Sequence, residues 1–207
     1  MSDQTDSAMQ TTKAGRFAEP VVRLLQTPSQ TVGPFFGYAL PYVRGGDIVE
    51  RAHPLAIRLH GRVFDGAGDG IPDALLELWQ PDEHGIISRE LGSHERDGYT
   101  FTGFGRAETT RAGDYTFTTV KPGAVNGGAS YALIAVFARG LLHHLFTRVY
   151  FIPEADSESV AAGDAVLSLV PAERRSTLYA IADGAGSYRF DIRLQGEGET
   201  VFLDFDD

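Results

Sequence analysis

Short segments in which apolar and polar residues alternate recur along this chain, separated by turns rich in glycine and proline. Residues 56–64 (AIRLHGRVF) and 114–120 (DYTFTTV) alternate with a period of two, as a strand with one buried face requires. Residues 74–80 alternate in the same way, with Leu76 and Leu78 on one face. Many short strands with such turns between them predict an all-β protein, namely a mixed β-sandwich with long loops.

The second half of the chain predicts further strands and a few helical turns. Residues 131–138 are almost wholly apolar, which is typical of a strand buried on both faces. The other predicted elements are strands at 145–152, 177–181 and 188–194, a short strand near 99–104, a helical turn within 154–163 and a turn or short helix at 171–176, while 166–170 is ambiguous between strand and helix.

The segment TPSQTVGPFF, at residues 27–36, has neither a helix pattern nor a strand pattern. Pro28 and Pro34 each fix one backbone angle, and Gly33 permits backbone angles that other residues avoid. The segment therefore predicts a stiff, non-repetitive arm, covering residues 27–38, that leads into the first strand.

The composition fits one large domain. The chain has 207 residues, of which 43% are hydrophobic, so residues 20–207 predict a single β-sandwich domain after a disordered polar tail at 1–19. A formal net charge of −10 argues against nucleic acid as a partner. No apolar run long enough to span a membrane, no signal pattern and no cysteine occur, so we expect a cytoplasmic protein with no membrane partner.

Several separate segments resemble the intradiol ring-cleavage dioxygenases, in that family's order and at about its spacing. The resemblance covers roughly residues 20–205 and is closest to the alpha chains of the members that act on protocatechuate. It implies the β-sandwich fold of the family. The segments are the arm at 27–36, LLELWQ at 75–80, DYTFTTVKPG at 114–123, FARG at 137–140 and YRFDIRLQGEGETVFLDF at 188–205.

The resemblance also identifies four positions at which the family's catalytic chain binds ferric iron, through two tyrosines and two histidines. In this chain those positions hold Ile87, Val125, Tyr131 and Leu133. Isoleucine, valine and leucine have no donor atom, and Tyr131 alone cannot hold the ion. The sequence therefore predicts no metal in this chain, and the resemblance implies that Fe(III) lies in a partner beta chain.

Arg139 is the first candidate for contact with a substrate. It follows a nearly apolar strand, and an arginine beside such a strand usually needs an anionic partner. One possibility is an internal ion pair with Glu77 or Asp191. The resemblance implies instead that Arg139 reaches the active site, where a guanidinium is well shaped to face the carboxylate of protocatechuate.

The arm is the second candidate. The resemblance implies that Thr31, Gly33 and Pro34 line the same cavity as Arg139, where a preorganised wall would orient a flat aromatic acid. Phe35 stands where some relatives carry tyrosine, so that position offers apolar contact without a hydroxyl.

Together these features imply a non-catalytic alpha subunit, inactive alone, that pairs with the beta subunit of the same dioxygenase in a higher-order assembly of alpha–beta units. The implied reaction converts protocatechuate and O2 to 3-carboxy-cis,cis-muconate in aromatic catabolism, the beta-ketoadipate pathway. Two alternatives stay open: a stand-alone enzyme with a metal site rebuilt on His84 and His94, and a stand-alone β-sandwich module that binds an aromatic acid. His143 and His144 are adjacent, so on a strand they would point to opposite faces and could not share a metal.

Overall fold

The first of two β-sheets is mixed in direction. The computed structural model describes residues 28–33, 35–90 and 96–205, and within them this sheet has the order β4-β1-β8-β7, with β9 also pairing with β1. Strands β8 and β9 run parallel to β1, and the other pairs are antiparallel. The strands are β1 (Ala56–Phe64), β4 (Asp114–Val120), β7 (Ile181–Gly184), β8 (Ser187–Arg189) and β9 (Ile192–Arg193).

The second sheet is antiparallel throughout, with the order β3-β2-β5-β6. Its strands are β2 (Leu75–Trp79), β3 (Phe104–Glu108), β5 (Tyr131–Phe137) and β6 (Leu145–Tyr150).

The core lies between the two sheets. Leu59 and Phe117 of the first sheet and Leu78 and Ile134 of the second are fully buried in one apolar cluster. Because side chains alternate across a strand, residues next to these in sequence point away from the core, and half of the Trp79 side chain is exposed on the outer face of the second sheet. The predicted mixed β-sandwich is confirmed.

Helical segments cover part of the outer face of β6. There Tyr150 is fully buried in a second cluster with Ala161, Leu167 and Leu178, and its hydroxyl donates to Asp164 at 3.0 Å. Burial raises the pKa of Tyr150, so the phenol stays protonated. The helical segments are α1 (Phe36–Ala39), α2 (Ser157–Gly163) and α3 (Ala172–Arg175), with 3-10 turns at Glu154–Asp156, Leu167–Leu169 and Ser176–Leu178.

Three predicted strands differ from the structure. The strand predicted at 177–181 is a 3-10 turn followed by β7, and the short strand predicted near 99–104 begins only at Phe104. The strand predicted at 188–194 is broken into β8 and β9. The break lies at Phe190 and Asp191, where the backbone comes so close to β1 that a Cβ atom on Gly61 would lie 1.9 Å from the carbonyl oxygen of Phe190.

The described part of the arm differs from its prediction in two respects. Phe36–Ala39 forms one helical turn, anchored by the buried Phe36, where no helix was expected. Gly33 has no positive φ, so the conformational freedom of glycine is not used there. Pro34 and the tail at residues 1–19 lie outside the described residues. Across the described ranges, no helix has the length and apolarity needed to cross a membrane.

Candidate functional site

Ile87, Val125, Tyr131 and Leu133, the four positions predicted to match iron ligands of a catalytic chain, line one cavity of about 630 Å³ on the outer face of the second sheet. Tyr131 and Leu133 lie on β5, Ile87 lies in the loop after β2, and Val125 lies in the loop after β4. The cavity is also lined by Glu77, Trp79, Gln80, Pro81, Ser88, Glu90, Thr102, Gly103, Phe104 and Arg106.

The loops that carry Ile87 and Val125 are fixed against each other by their backbones. The carboxylate of Asp82 accepts hydrogen bonds from two amides of its own loop, and its carbonyl oxygen accepts one from the amide of Gly123 at 2.8 Å. A Cβ atom on Gly123 would lie 2.2 Å from the amide nitrogen of Gly85, so only glycine permits this approach. The cavity therefore has walls whose positions do not depend on the side chains at 87 and 125.

One wall of the cavity carries a neutralised pair of charges. Glu77 and Arg106 are direct neighbours across β2 and β3, and the Nη2 atom of Arg106 lies 2.6 Å from a carboxylate oxygen of Glu77. Each side chain is less than a fifth exposed. Beside this pair, the ring centroids of Trp79 and Phe104 lie 4.5 Å apart. The cavity thus offers aromatic surface and little net charge.

The residues present do not fit an iron ion at these positions. Three of the four lack a donor atom, and the guanidinium of Arg148 lies 4.0 Å above the ring of Tyr131, where a second cation would be repelled. Within the described residues, no group of three or more histidine, aspartate and glutamate side chains is arranged to hold a metal. His84 is largely exposed beside Glu83, and His94 lies outside the described residues, so the alternative site on these histidines stays a prediction.

The arm packs against the turn that contains Arg139. The Oγ atom of Ser29 lies 2.9 Å from the Nε2 atom of His143, and the amide of Gly140 donates to the Oγ1 atom of Thr31 at 3.3 Å. Gly140 has a φ of 88°, which favours glycine and lets the chain reverse between β5 and β6. The structure therefore brings Thr31 next to the residue that follows Arg139.

Arg139 pairs with a residue that the sequence did not suggest. Its Nε atom donates to the carboxylate of Asp73, while Glu77 is taken by Arg106 and Asp191 accepts from the amide of Arg62. An internal ion pair was one of the two possibilities for Arg139, but both of its suggested partners were wrong. The strand register gives the reason: Leu75 faces Phe137 across β2 and β5, so residues two positions outward, 73 and 139, meet at the end of this ladder.

The remaining candidates are less close to this turn. A hollow of about 250 Å³ lies between the arm and the turn, but Thr31, Gly33, Phe35 and Arg139 do not line it, and Phe35 is 73% exposed.

His143 and His144 lie in the turn before β6 and not on a strand, so the argument from opposite strand faces does not apply to them. The ring of His144 stacks on Phe137 and meets Phe146 edge-on, with centroid distances of 5.3 and 4.5 Å. His144 therefore packs between the ends of β5 and β6.

Known proteins are similar to this chain in sequence and in fold. Residues 47–140 match the sequence model of a family described as Dioxygenase. The protocatechuate 3,4-dioxygenase alpha chain of Burkholderia cepacia is 43% identical over 198 residues, which are 87% of this chain and 98% of that protein. The beta chain of the same name and organism is 28% identical, over 73% of this chain and 70% of its own length. The solved dioxygenase domain of a dioxygenase–carbohydrate-binding fusion from Streptomyces sp. SirexAA-E has a TM-score of 0.54 and 25% identity, over 82% of this chain and 98% of that one.

Proposed function

The chain belongs to the intradiol dioxygenase family of protocatechuate 3,4-dioxygenase alpha chains, and from this premise we propose that it completes the substrate pocket of a beta chain that holds Fe(III). The two chains together would cleave protocatechuate between its hydroxyls with O2, giving 3-carboxy-cis,cis-muconate. The observation that carries the proposal is the cavity at Ile87, Val125, Tyr131 and Leu133, which keeps its space and has lost its donors.

A related beta chain would hold the iron that this chain has no residues to bind. The similarity to a beta chain as well as to an alpha chain supports a heteromer of two chains with a common ancestry. When bound in the beta chain, iron would supply the binding and activation of the catechol. This chain would then contribute the orientation of the substrate and the neutralisation of its carboxylate.

Arg139 is suited to that contribution. Its side chain is 61% exposed in the isolated chain, so it is open to a ligand or a partner. Asp73 contacts the guanidinium at its Nε atom, and the exposed remainder of the group is available to a carboxylate, which arginine can bind in a fork geometry.

The arm would form the adjacent wall of the pocket. Thr31 is held at Gly140, next to Arg139, and we include Gly33, Pro34 and Phe35 in the same wall because they continue the arm. An exposed phenylalanine at position 35 would give the aromatic ring an apolar contact.

The proposal is tested by producing this chain alone, a candidate beta chain alone, and both together, and by measuring iron content, visible absorbance and protocatechuate cleavage. We expect this chain alone to be colourless, iron-free and inactive, and the pair to co-purify as a coloured, active complex. Stoichiometric iron and cleavage by this chain alone would support a rebuilt site, and loss of that iron in His84→Ala/His94→Ala would locate it. A chain that binds an aromatic acid but no beta chain would instead support the binding module.

A further inference from the structure

Asp73 lies at the end of the strand ladder that also ends at Arg139. We propose that Asp73 is a positioning residue, whose contact with the Nε atom of Arg139 orients the guanidinium so that its exposed side faces the substrate carboxylate. The proposal rests on the function proposed above for Arg139. The contact follows from the pairing of Leu75 with Phe137, which sets residues 73 and 139 opposite each other two positions further on.

The backbone around Asp73 is fixed before any ligand arrives. The buried hydroxyl of Thr109 donates to the carbonyl oxygen of Ile71 at 2.7 Å and accepts from the amide of Ala74 at 2.9 Å. The amide of Thr109 also donates to the carbonyl oxygen of Ala74 at 2.9 Å. These bonds hold the chain on both sides of Asp73, so its carboxylate is presented from a rigid support and not from a loose turn.

Such support matters because an exposed arginine has many rotamers. A free guanidinium would lose that freedom each time it bound a carboxylate, which weakens binding. An arginine already held at Nε loses less, and its planar fork keeps the direction of the two remaining donor nitrogens.

Asp73 could also act in the opposite sense, since it is itself an anion beside the guanidinium. A carboxylate that competes with the substrate for Arg139 would weaken binding, and its removal would strengthen binding. Removal of the carboxylate in Asp73→Ala should therefore raise KM if Asp73 positions Arg139 and lower KM if Asp73 competes with the substrate. Asp73→Asn separates the two roles further, because asparagine keeps an oxygen acceptor and loses the charge.

The test uses the active alpha–beta complex and compares protocatechuate with catechol, which lacks the carboxylate. We expect Asp73→Ala to raise KM for protocatechuate about fivefold, with kcat changed less than about twofold, because uniform binding is lost. Asp73→Asn should return KM to within about twofold of the unmodified complex, since the acceptor is restored. KM for catechol should stay unchanged in both variants.

A double variant decides whether Asp73 acts through Arg139. In an Arg139→Ala background, Asp73→Ala should have no further effect on KM. The inference is overturned if KM falls in both Asp73 variants, if KM for catechol rises as much as KM for protocatechuate, or if the two substitutions are additive. If Arg139→Ala itself leaves KM for protocatechuate unchanged, the proposed function of Arg139 fails. If only Asp73→Ala is silent, the positioning role alone fails.

Discussion

The cavity at Tyr131 and the turn at Arg139 lie at opposite ends of the same strand, β5, and they differ in enclosed volume and in exposed charge. The cavity has a volume of about 630 Å³ and no metal-binding set among the described residues. The turn has a charged, exposed guanidinium beside a hollow of only about 250 Å³. The first region therefore has an enclosed space with few charged groups, and the second has an exposed charged group beside a smaller hollow.

The two regions also differ in what holds them. Close backbone contacts between Gly85 and Gly123 hold the loops of the cavity together. Side-chain contacts fix the turn, through Ser29 with His143 and through Asp73 with Arg139. Substitutions in the two regions should accordingly affect different properties, namely stability at the cavity and substrate binding at the turn.

The largest expected effect is on stability, from Gly123→Ala. The added methyl group would lie 2.2 Å from a backbone nitrogen, so the two loops must separate. We expect a loss of about 3 kcal/mol in the free energy of unfolding, measured by urea denaturation of the isolated chain.

Gly140→Ala is the matched control in the other region. Its Cβ atom would meet no atom within 4 Å, but the φ of 88° would cost about 1 kcal/mol with a side chain present. Equal losses in the two variants would contradict the view that close backbone packing distinguishes the cavity from the turn.

The next effect is on substrate binding, from Arg139→Ala in the alpha–beta complex. Loss of a charge-assisted contact should raise KM for protocatechuate at least about tenfold, equivalent to about 1.4 kcal/mol, and lower kcat much less. Steady-state kinetics at fixed ionic strength measures both constants.

Tyr131→Phe is the corresponding control at the cavity. It removes the last oxygen donor among the four lost-ligand positions and keeps the ring under Arg148. We expect unchanged KM and kcat. A fall in kcat for this variant, or unchanged kinetics for Arg139→Ala, would reverse the roles assigned to the two regions.

The smallest effect is a local response to acid in the loop beside the cavity. Hydrogen bonds from the Thr100 hydroxyl and from the amides of Thr100 and Tyr99 lower the pKa of Asp97 to about 2. Because this pKa is lower than in the unfolded chain, the stabilisation is complete above pH 4 or so and is lost as pH falls toward about 2. The amide signals of Tyr99 and Thr100 should shift with that midpoint in an NMR titration, and Asp97→Asn should abolish the shift.

The alternation of apolar and polar residues predicted those strands that have one face in the core and one face outside it. The ends of β1 and β4 match the alternating segments because alternation alone separates a core face from an outer face. The break at Phe190 was missed because it lies at a contact with Gly61, a residue more than a hundred positions away in sequence.

The residues of the candidate site also divide into those that the sequence suggested and those that depend on contacts between distant segments. The four positions predicted to match iron ligands came from the family resemblance, and Arg139 drew attention by its place after an apolar strand. Asp73 was missed because the pair needs the register of β2 against β5, which the sequence of either strand does not contain. The cavity volume likewise depends on how the loops around Ile87 and Gly103 pack, which no single segment determines.

The bond from Gly123 to Asp82 has a consequence for how the protein is made. In many metalloproteins the ion closes the loops that bind it, so that a shortage of metal is a shortage of folded protein. Here backbone contacts close the loops, so we expect this chain to fold without iron. The yield of folded protein should then not depend on the supply of iron, and under the proposed function the folded chain would be ready to bind an iron-loaded beta chain.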